Sequence, residues 1–362
     1  MTSGAFPFEA NPNPVDAADR AARLVDPGFG RVFTDHMVTI RYSDAKGWHD
    51  AKVGPRAPLT LDPATAVLHY AQEIFEGLKA YRLADGTMAL FRPEQNARRF
   101  QRSAKRLAMP ELPEDMFLQA CKQLVQVDKD WFPPVDGGSI YLRPFMIASE
   151  VFLGVKPSAE YLFMVIASSA GNYFKSGAPA ISIWVSEQYT RAARGGTGAA
   201  KCGGNYAASL VAQSEAIREG CDQVVFLDAA EHRWVEELGG MNLFFLFDDG
   251  SLLTPPTDGT ILEGITRDSV LTLARAQGLT VREERYAMDQ WRADAESGRL
   301  VEVFACGTAA VVTPVGTVKS TQGAFTIGAG GAGQMTQQIR TKLVDIQRGA
   351  AADTHGWVQR ID

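Results

Sequence analysis

Five glycines, one lysine and nothing bulky before a closing tyrosine make up Arg194-Gly195-Gly196-Thr197-Gly198-Ala199-Ala200-Lys201-Cys202-Gly203-Gly204-Asn205-Tyr206. No other stretch constrains the chain as much. Glycine reaches backbone angles and close approaches closed to other residues, so the segment reads as two tight turns flanking the lysine. The lysine has two readings. A rigid, crowded site can hold its amine as a Schiff-base anchor for a carbonyl cofactor, whereas a surface loop would leave it solvated. Nucleotide loops fit less well. The glycine before the lysine and the Ser/Thr after it that a Walker loop needs are both missing, and so is the third glycine of a Rossmann fingerprint.

The chain has 362 residues, the length of about two domains. Its 46% hydrophobic and 22% charged residues suit a globular enzyme. A net charge of −6 supplies no general basic surface for nucleic acid or anionic lipid. No apolar run reaches the ~18 residues of a membrane span, and residues 1–20 lack the pattern of a signal peptide. Cys121, Cys202, Cys221 and Cys306 are widely spaced with no C-x-x-C pair. That spacing argues against a zinc ribbon, a redox dithiol or a disulfide framework and for a reducing cytoplasm. The five histidines form no H-E-x-x-H pattern, so no catalytic metal is expected.

Residues 1–30 read as an extended, partly mobile arm. Strands are expected at 37–42 and 48–53, and a hairpin with an Asp85-Gly86 turn at 76–91. Pro93 opens a helix with Ala97, Phe100, Ala104 and Leu107 on one face, and 113–129 forms a second. Buried strands follow at 139–148 and 161–168. The Gly/Ser/Pro-rich residues after 170 mark a linker. Beyond it come strands at 181–186, 223–227, 233–236, 242–247, 280–285 and 301–305. Helices are expected at 205–219, 266–277 (capped by Thr266 or a neighbour), 288–296 and 334–347. Two mixed α/β domains account for this order.

Three further segments carry chemistry. In Trp234-Val235-Glu236-Glu237-Leu238-Gly239-Gly240-Met241-Asn242, a carboxylate pair stands at a strand end before a glycine turn. Glu237 is placed to hold a pyridinium nitrogen protonated; the alternative is a pair of solvated glutamates. Leu262-Glu263-Gly264-Ile265-Thr266-Arg267 puts a turn directly before a helix, whose first N–H groups bind anions. Gly307-Thr308-Ala309-Ala310 offers a second small-residue turn, and Arg99 a bidentate guanidinium. Taken singly, each is equally an N-cap, a turn or a surface arginine.

Together, in order, several motifs resemble the branched-chain amino acid aminotransferases, fold-type IV pyridoxal-phosphate enzymes of the longer type. They are Phe75-Glu76-Gly77-Leu78-Lys79-Ala80-Tyr81, Phe91-Arg92-Pro93-x-x-Asn96-x-x-Arg99, Tyr141-Leu142-Arg143-Pro144, Lys201-x-Gly203-Gly204-Asn205-Tyr206, Glu237-Leu238-Gly239-Gly240-Met241-Asn242, Gly264-Ile265-Thr266-Arg267 and Gly307-Thr308-Ala309. The likeness runs from about Phe29 to Trp357. It implies a mixed α/β, two-domain fold: a smaller N-terminal domain with its arm (1–170), a linker (171–180) and a larger C-terminal domain (181–362) with a β-barrel-like core. The cofactor would lie at the domain interface.

The resemblance also implies roles. Lys201 carries pyridoxal 5'-phosphate and then moves the proton. Glu237 pairs with the ring nitrogen, and Tyr206 bonds the phenolic oxygen. Arg99, Ile265, Thr266 and Thr308 hold the phosphate. Phe29, Phe75, Tyr141, Arg143 and Tyr173, with Tyr70 and Val155 from a second subunit, line the substrate pocket. The substrate carboxylate sits at Thr308-Ala309-Ala310. The implied reaction is reversible ping-pong transfer between leucine, isoleucine or valine and 2-oxoglutarate by a cytoplasmic homodimer. The chain departs from some members at two places. Ala310 and Thr313 stand where animal members carry a C-x-x-C pair, and Gly240 stands where some have threonine. Two alternatives remain: another fold-type IV enzyme, such as a D-amino acid aminotransferase or aminodeoxychorismate lyase, and a non-catalytic binder on the same fold.

Overall fold

The computed structural model describes residues 4–135, 137–171 and 180–361. The chain divides into two units: Met1–Tyr173 with Ala200–Gly203 and Ile346–Asp362, and Phe174–Ala199 with Gly204–Asp345. Lys201 therefore belongs to the first unit, although the chain on either side of its turn belongs to the second. Most of the expected linker, and Tyr173 with it, lies outside the described residues.

The first unit runs α1 (Ala17–Arg23), β1 (Val32–Ser43), β2 (Gly47–Pro55), α2 (Val67–Tyr70), β3 (Glu73–Phe75), β4 (Leu78–Arg82), β5 (Met88–Phe91), α3 (Pro93–Arg106), α4 (Glu114–Val127), β6 (Ser139–Ala148) and β7 (Glu160–Ala170). The last strand of the chain, β17 (Val358–Ile361), joins the same antiparallel sheet, in the order β17-β5-β4-β6-β7-β1-β2 with β3 also on β6. Strand alternation decides what faces the core. On β6, Ile140, Leu142 and Met146 are buried in the apolar cluster, while Tyr141 and Arg143 share the opposite face. Helices α3 and α4 cover the core side. There Phe100, Phe117 and Phe163 meet with ring centroids 5.5–6.2 Å apart. Each fully buried ring contributes about 1.5–3 kcal/mol.

The N-terminal arm departs from expectation. Asp16 caps α1 by accepting the Ala18 and Asp19 N–H groups, both at 2.9 Å. Phe6 exchanges two hydrogen bonds with the Gln123 side chain, at 2.8 and 2.7 Å. Val53 pairs with Phe8 through bonds to the backbone on either side of it. From Phe6 onward the described part of the arm is thus bonded onto the unit, and part of it is helical rather than extended.

The second unit is built on β8 (Ile181–Ser186), β9 (Gln223–Leu227), β10 (Val235–Leu238), β11 (Asn242–Phe247), β12 (Ser251–Thr254), β13 (Thr280–Glu283), β14 (Leu300–Gly307), β15 (Val311–Ser320) and β16 (Gly323–Thr326). Their order is β10-β9-β8-β15-β14-β11-β12-β13 with β16 on β15. The helices in this part of the chain are α5 (Gly203–Ala207), α6 (Leu210–Arg218), α7 (Ile265–Ala276), α8 (Met288–Glu296) and α9 (Gln334–Gln347). The helix expected at 205–219 is broken in two. Both the N–H and the hydroxyl of Ser209 bond back to the Tyr206 carbonyl, which closes the first turn before α6 begins. The N-cap of α7 is Gly264, not Thr266, and no side chain caps that end. Among the described residues no helix is long and apolar enough to cross a membrane.

Candidate active site

In the first unit the lysine is held by its backbone. The Lys201 N–H donates to Ser103 Oγ at 2.9 Å, and its carbonyl accepts the Phe75 N–H at 2.9 Å. Neighbouring Ala200 and Cys202 are buried in the core. Gly203 N–H donates to the Glu73 carboxylate, and a Cβ at Gly203 would strike that same group. The glycine is there for close approach. The Lys201 ammonium lies 4.8 Å from the centre of the Phe75 ring, so the amine stands over an aromatic wall.

Beside the lysine is a buried ion pair. Arg99 donates from Nε to Glu76 Oε1 at 2.7 Å and from Nη2 to Oε2 at 2.8 Å. Asn96 Nδ2 adds a third bond to Oε2 at 2.7 Å. Burial pushes the Glu76 carboxyl up, but Arg99, and to a lesser degree Lys201 and Asn96, outweigh that and hold it below the usual range. Asn96, Arg99 and Ser103 recur at helical spacing, so one face of α3 carries all three contacts.

Four of the expected substrate-pocket residues come together in this unit. The Arg143 guanidinium lies 4.7 Å from the Phe75 ring centre and 5.5 Å from that of Tyr141, and it donates to the Tyr141 hydroxyl at 3.0 Å. Phe29 meets Tyr141 edge-on at 4.9 Å. Gly77 leaves room for the Tyr141 hydroxyl, which a Cβ there would strike. Tyr70 and Val155 stand apart. Tyr70 donates to the Leu153 carbonyl at 2.7 Å, and Val155 is 90% exposed. No aromatic contact joins Tyr70 to the four-residue cluster among the described residues.

In the second unit β10 delivers Glu237 into a buried setting. One carboxylate oxygen accepts the Leu262 N–H at 2.9 Å and is ion-paired with Arg191. Arg191 also donates to the carbonyls of Thr260 at 2.7 Å and Gly198 at 3.1 Å. Asn242 Nδ2 bonds the Leu262 carbonyl at 3.1 Å, and a Cβ at Gly264 would hit the Asn242 side-chain oxygen. The start of α7, with Ile265 and buried Thr266, is thereby fixed next to Glu237 of β10 and Asn242 of β11. A Cβ at Gly307 would lie 3.3 Å from the Met241 side chain, so the Thr308-Ala309-Ala310 turn is packed against the Gly240-Met241 turn. A Cβ at Gly240 would be 3.6 Å from the Tyr206 ring, so this glycine leaves the tyrosine a flat backbone neighbour.

Each unit by itself carries groups of the kinds that bind a phosphorylated pyridine: in the first, a lysine and an arginine on one scaffold; in the second, a carboxylate fixed by an arginine and an N–H, and a helix start with no side-chain cap. Arg191, Asn96, Ser103 and Asn242 carry this geometry and were given no role from the sequence. Glu76 lay inside a quoted motif, yet an isolated glutamate gives no sign of its burial.

A family model for class IV amino-transferases matches residues 73–318. The probable branched-chain-amino-acid aminotransferase of Streptomyces coelicolor is 58% identical over 362 residues, covering 100% of both chains. The branched-chain-amino-acid aminotransferase of Mycolicibacterium smegmatis is 56% identical over 368 residues, again covering 100% of each. The solved Escherichia coli branched-chain amino acid aminotransferase shares 31% identity at a TM-score of 0.71, over 84% of this chain and 94% of that one. The T.th. branched-chain amino acid aminotransferase with pyridoxamine 5'-phosphate shares 30% at a TM-score of 0.73, over 89% and 98%. The same enzyme complexed with N-(5'-phosphopyridoxyl)-L-glutamate also shares 30%, at a TM-score of 0.70 over 89% and 98%. With sequence, fold and side-chain sets in agreement, the chain belongs to the class IV aminotransferases, on their branched-chain-amino-acid branch.

Proposed function

We propose that the chain binds pyridoxal 5'-phosphate and transfers the amino group of leucine, isoleucine or valine to 2-oxoglutarate in a reversible ping-pong cycle, as a cytoplasmic homodimer. The observation that carries this reading is the anchored lysine: Lys201 is bonded through both its N–H and its carbonyl, with its amine over the Phe75 ring and beside the Glu76–Arg99 pair. The relatives solved with pyridoxamine phosphate and with a phosphopyridoxyl-glutamate adduct support the choice of cofactor and of glutamate.

When bound, the cofactor supplies an electron sink for the charge that develops at the substrate Cα. Lys201 would hold the cofactor through its Nζ, and the same amine would serve as the base that takes and returns the proton at the substrate Cα. Glu237, oriented by Arg191 and the Leu262 N–H, keeps the ring nitrogen protonated. Tyr206 donates to the phenolic oxygen. Arg99, the N–H groups of Ile265 and Thr266, and Thr308 bind the phosphate. Backbone N–H groups at Thr308-Ala309-Ala310 receive the substrate carboxylate.

The side-chain pocket must accept both an apolar branch and a γ-carboxylate, and an unpaired buried charge is costly. Phe29, Phe75 and Tyr141, with Tyr173 and with Tyr70 and Val155 of the partner subunit, give the apolar wall. Arg143 lies against two of those rings, so its charge adds little exposed polarity. Its Nε is buried with no hydrogen-bond partner among the described residues, a donor that a γ-carboxylate would satisfy.

The test is steady-state amino transfer to 2-oxoglutarate from L-leucine, L-isoleucine, L-valine and D-alanine, with aminodeoxychorismate assayed for lysis. Activity confined to the branched L-amino acids is expected. Lys201→Ala removes the proton carrier, whose loss costs about 10²–10⁴-fold or more. Wild-type turnover in that variant would defeat the assignment.

A further inference from the structure

We infer that Glu76 is a positioning residue: it locks the Arg99 guanidinium in the orientation that receives the cofactor's phosphate, and so sets the affinity for the phosphorylated form. The inference rests on the cofactor reading above and deepens it.

Glu76 has no exposed surface, and Arg99 is 4% exposed. A buried ion pair is seldom the most stable choice, since apolar residues of the same volume often pack at least as well. Its presence here therefore calls for a reason other than stability. The geometry gives one. Two parallel bonds from Nε and Nη2 fix the plane of the guanidinium, which a single contact would not. The carboxylate is itself immobilised. Asn96 and the Gly77 N–H bond Oε2 at 2.7 and 3.2 Å, and the Glu76 N–H donates to the Pro144 carbonyl of β6 at 2.7 Å. Arg99 is thus held before any ligand arrives, and the cost of ordering a long side chain does not fall on binding. The same helix face holds Lys201 through Ser103, so arginine and lysine are fixed to one rigid element.

The sign of the effect separates this role from simple electrostatics. A carboxylate near an anion site repels the anion. If Glu76 acted on the phosphate by charge alone, its neutralisation would tighten binding. If it acts through Arg99, neutralisation breaks the fork and weakens binding.

The experiment measures pyridoxal 5'-phosphate and pyridoxal binding to the apo-protein by equilibrium dialysis, for wild type and Glu76→Gln, with far-UV circular dichroism to confirm folding. Losing an oriented, charge-assisted contact predicts at least about tenfold weaker pyridoxal phosphate binding. Pyridoxal, which lacks the phosphate, is expected to bind both proteins equally. Unchanged or tighter pyridoxal phosphate binding, or an equal loss for both compounds, overturns the inference. Should Glu76→Gln fail to fold, Asn96→Ala leaves the ion pair in place and removes one bond to the carboxylate. A smaller loss confined to pyridoxal phosphate supports the inference, and no loss or an unselective one overturns it. A wild-type protein that binds pyridoxal phosphate no better than pyridoxal overturns the cofactor reading as well. A wild-type preference for phosphate that survives Glu76→Gln overturns the Glu76 inference alone.

Discussion

Arg191 is the residue whose removal tests the second unit most directly. Its side chain is 4% exposed and that of its partner Glu237 is 3% exposed. Replacing it by methionine keeps an unbranched side chain of similar length but removes the charge and three contacts: the Glu237 ion pair and the bonds to the Thr260 and Gly198 carbonyls. Breaking a buried pair by deleting one partner costs about 3–5 kcal/mol, because the other charge stays buried. Each carbonyl that loses its donor adds up to about 1–3 kcal/mol, less where water can enter. A net loss of about 4 kcal/mol is expected. At about 2–4 °C per kcal/mol for a unit of this size, that lowers the midpoint by roughly 10 °C.

The companion substitution Glu237→Gln keeps an acceptor for the Leu262 N–H and leaves the Arg191 charge bonded to the Thr260 and Gly198 carbonyls, so it should cost less than the reverse deletion, about 1–2 kcal/mol. Combining the two removes the stranded charge. The double variant should therefore be more stable than the sum of the single losses predicts, by about 2 kcal/mol of coupling. Denaturant unfolding of the cofactor-free protein measures all three variants without the added stability that ligand binding brings. An Arg191→Met cost below about 1 kcal/mol, or losses that merely add, would refute the reasoning. Glu237 would then be held in place by something other than this pair.

Three further outcomes follow from the same geometry. Burial raises the Glu236 carboxyl pKa against the opposing pull of Thr260 and Arg191, and its Oε2 has no partner among the described residues. A raised folded value means that this group's stability contribution is complete below the unfolded value of about 4.3 and is lost as pH rises through the folded one. Glu236→Gln should accordingly raise the thermal midpoint more at pH 8 than at pH 5, and an equal change at both would count against the burial argument. Glu76 has the opposite sign: its carboxyl is held down, mainly by Arg99. Its contribution is present above about 4.3 and lost as pH falls through the lower folded value. Relative to Glu76→Gln, the wild type should lose its advantage only in strong acid, and an advantage already gone at pH 6 would contradict the pairing. Gly77→Ala places a methyl group against the Tyr141 hydroxyl and displaces the ring from Arg143. Pocket distortion of that size predicts a KM for leucine at least about tenfold higher, and an unchanged KM would remove Tyr141 from the pocket wall.

What was legible in the chain divides by the distance over which the cause acts. Strand β6 was legible because alternation is local: Ile140, Leu142 and Met146 point one way and Tyr141 and Arg143 the other. Helix α3 was legible through the spacing of Ala97, Phe100 and Ala104 behind Pro93. Strand β15 was missed because Pro314 and Gly316 interrupt Val311–Ser320. Proline reads as a strand breaker, yet Pro314 keeps its register opposite Phe304 of β14. Helix α1 was missed for the contrary reason. It buries none of its residues and shows only the Asp16 cap.

The site follows the same division, and this explains why its charges were the hardest part to assign. Lys201 and Glu237 announce themselves through glycines next to them in sequence, since a close backbone approach is a local requirement. The pairings between charges announce nothing, even where a member such as Arg99 is itself a candidate. Glu76 and Arg99 are 23 residues apart, and Arg191 reaches Glu237 from the far side of the glycine stretch, across three intervening elements. A charged side chain in a polar segment is ordinarily solvated, and only the folded sheet decides that these four are not. That Glu76 holds Arg99 and Arg191 holds Glu237 is therefore invisible to spacing, although removal of Glu76 or Arg191 should be felt as strongly as that of the groups they hold.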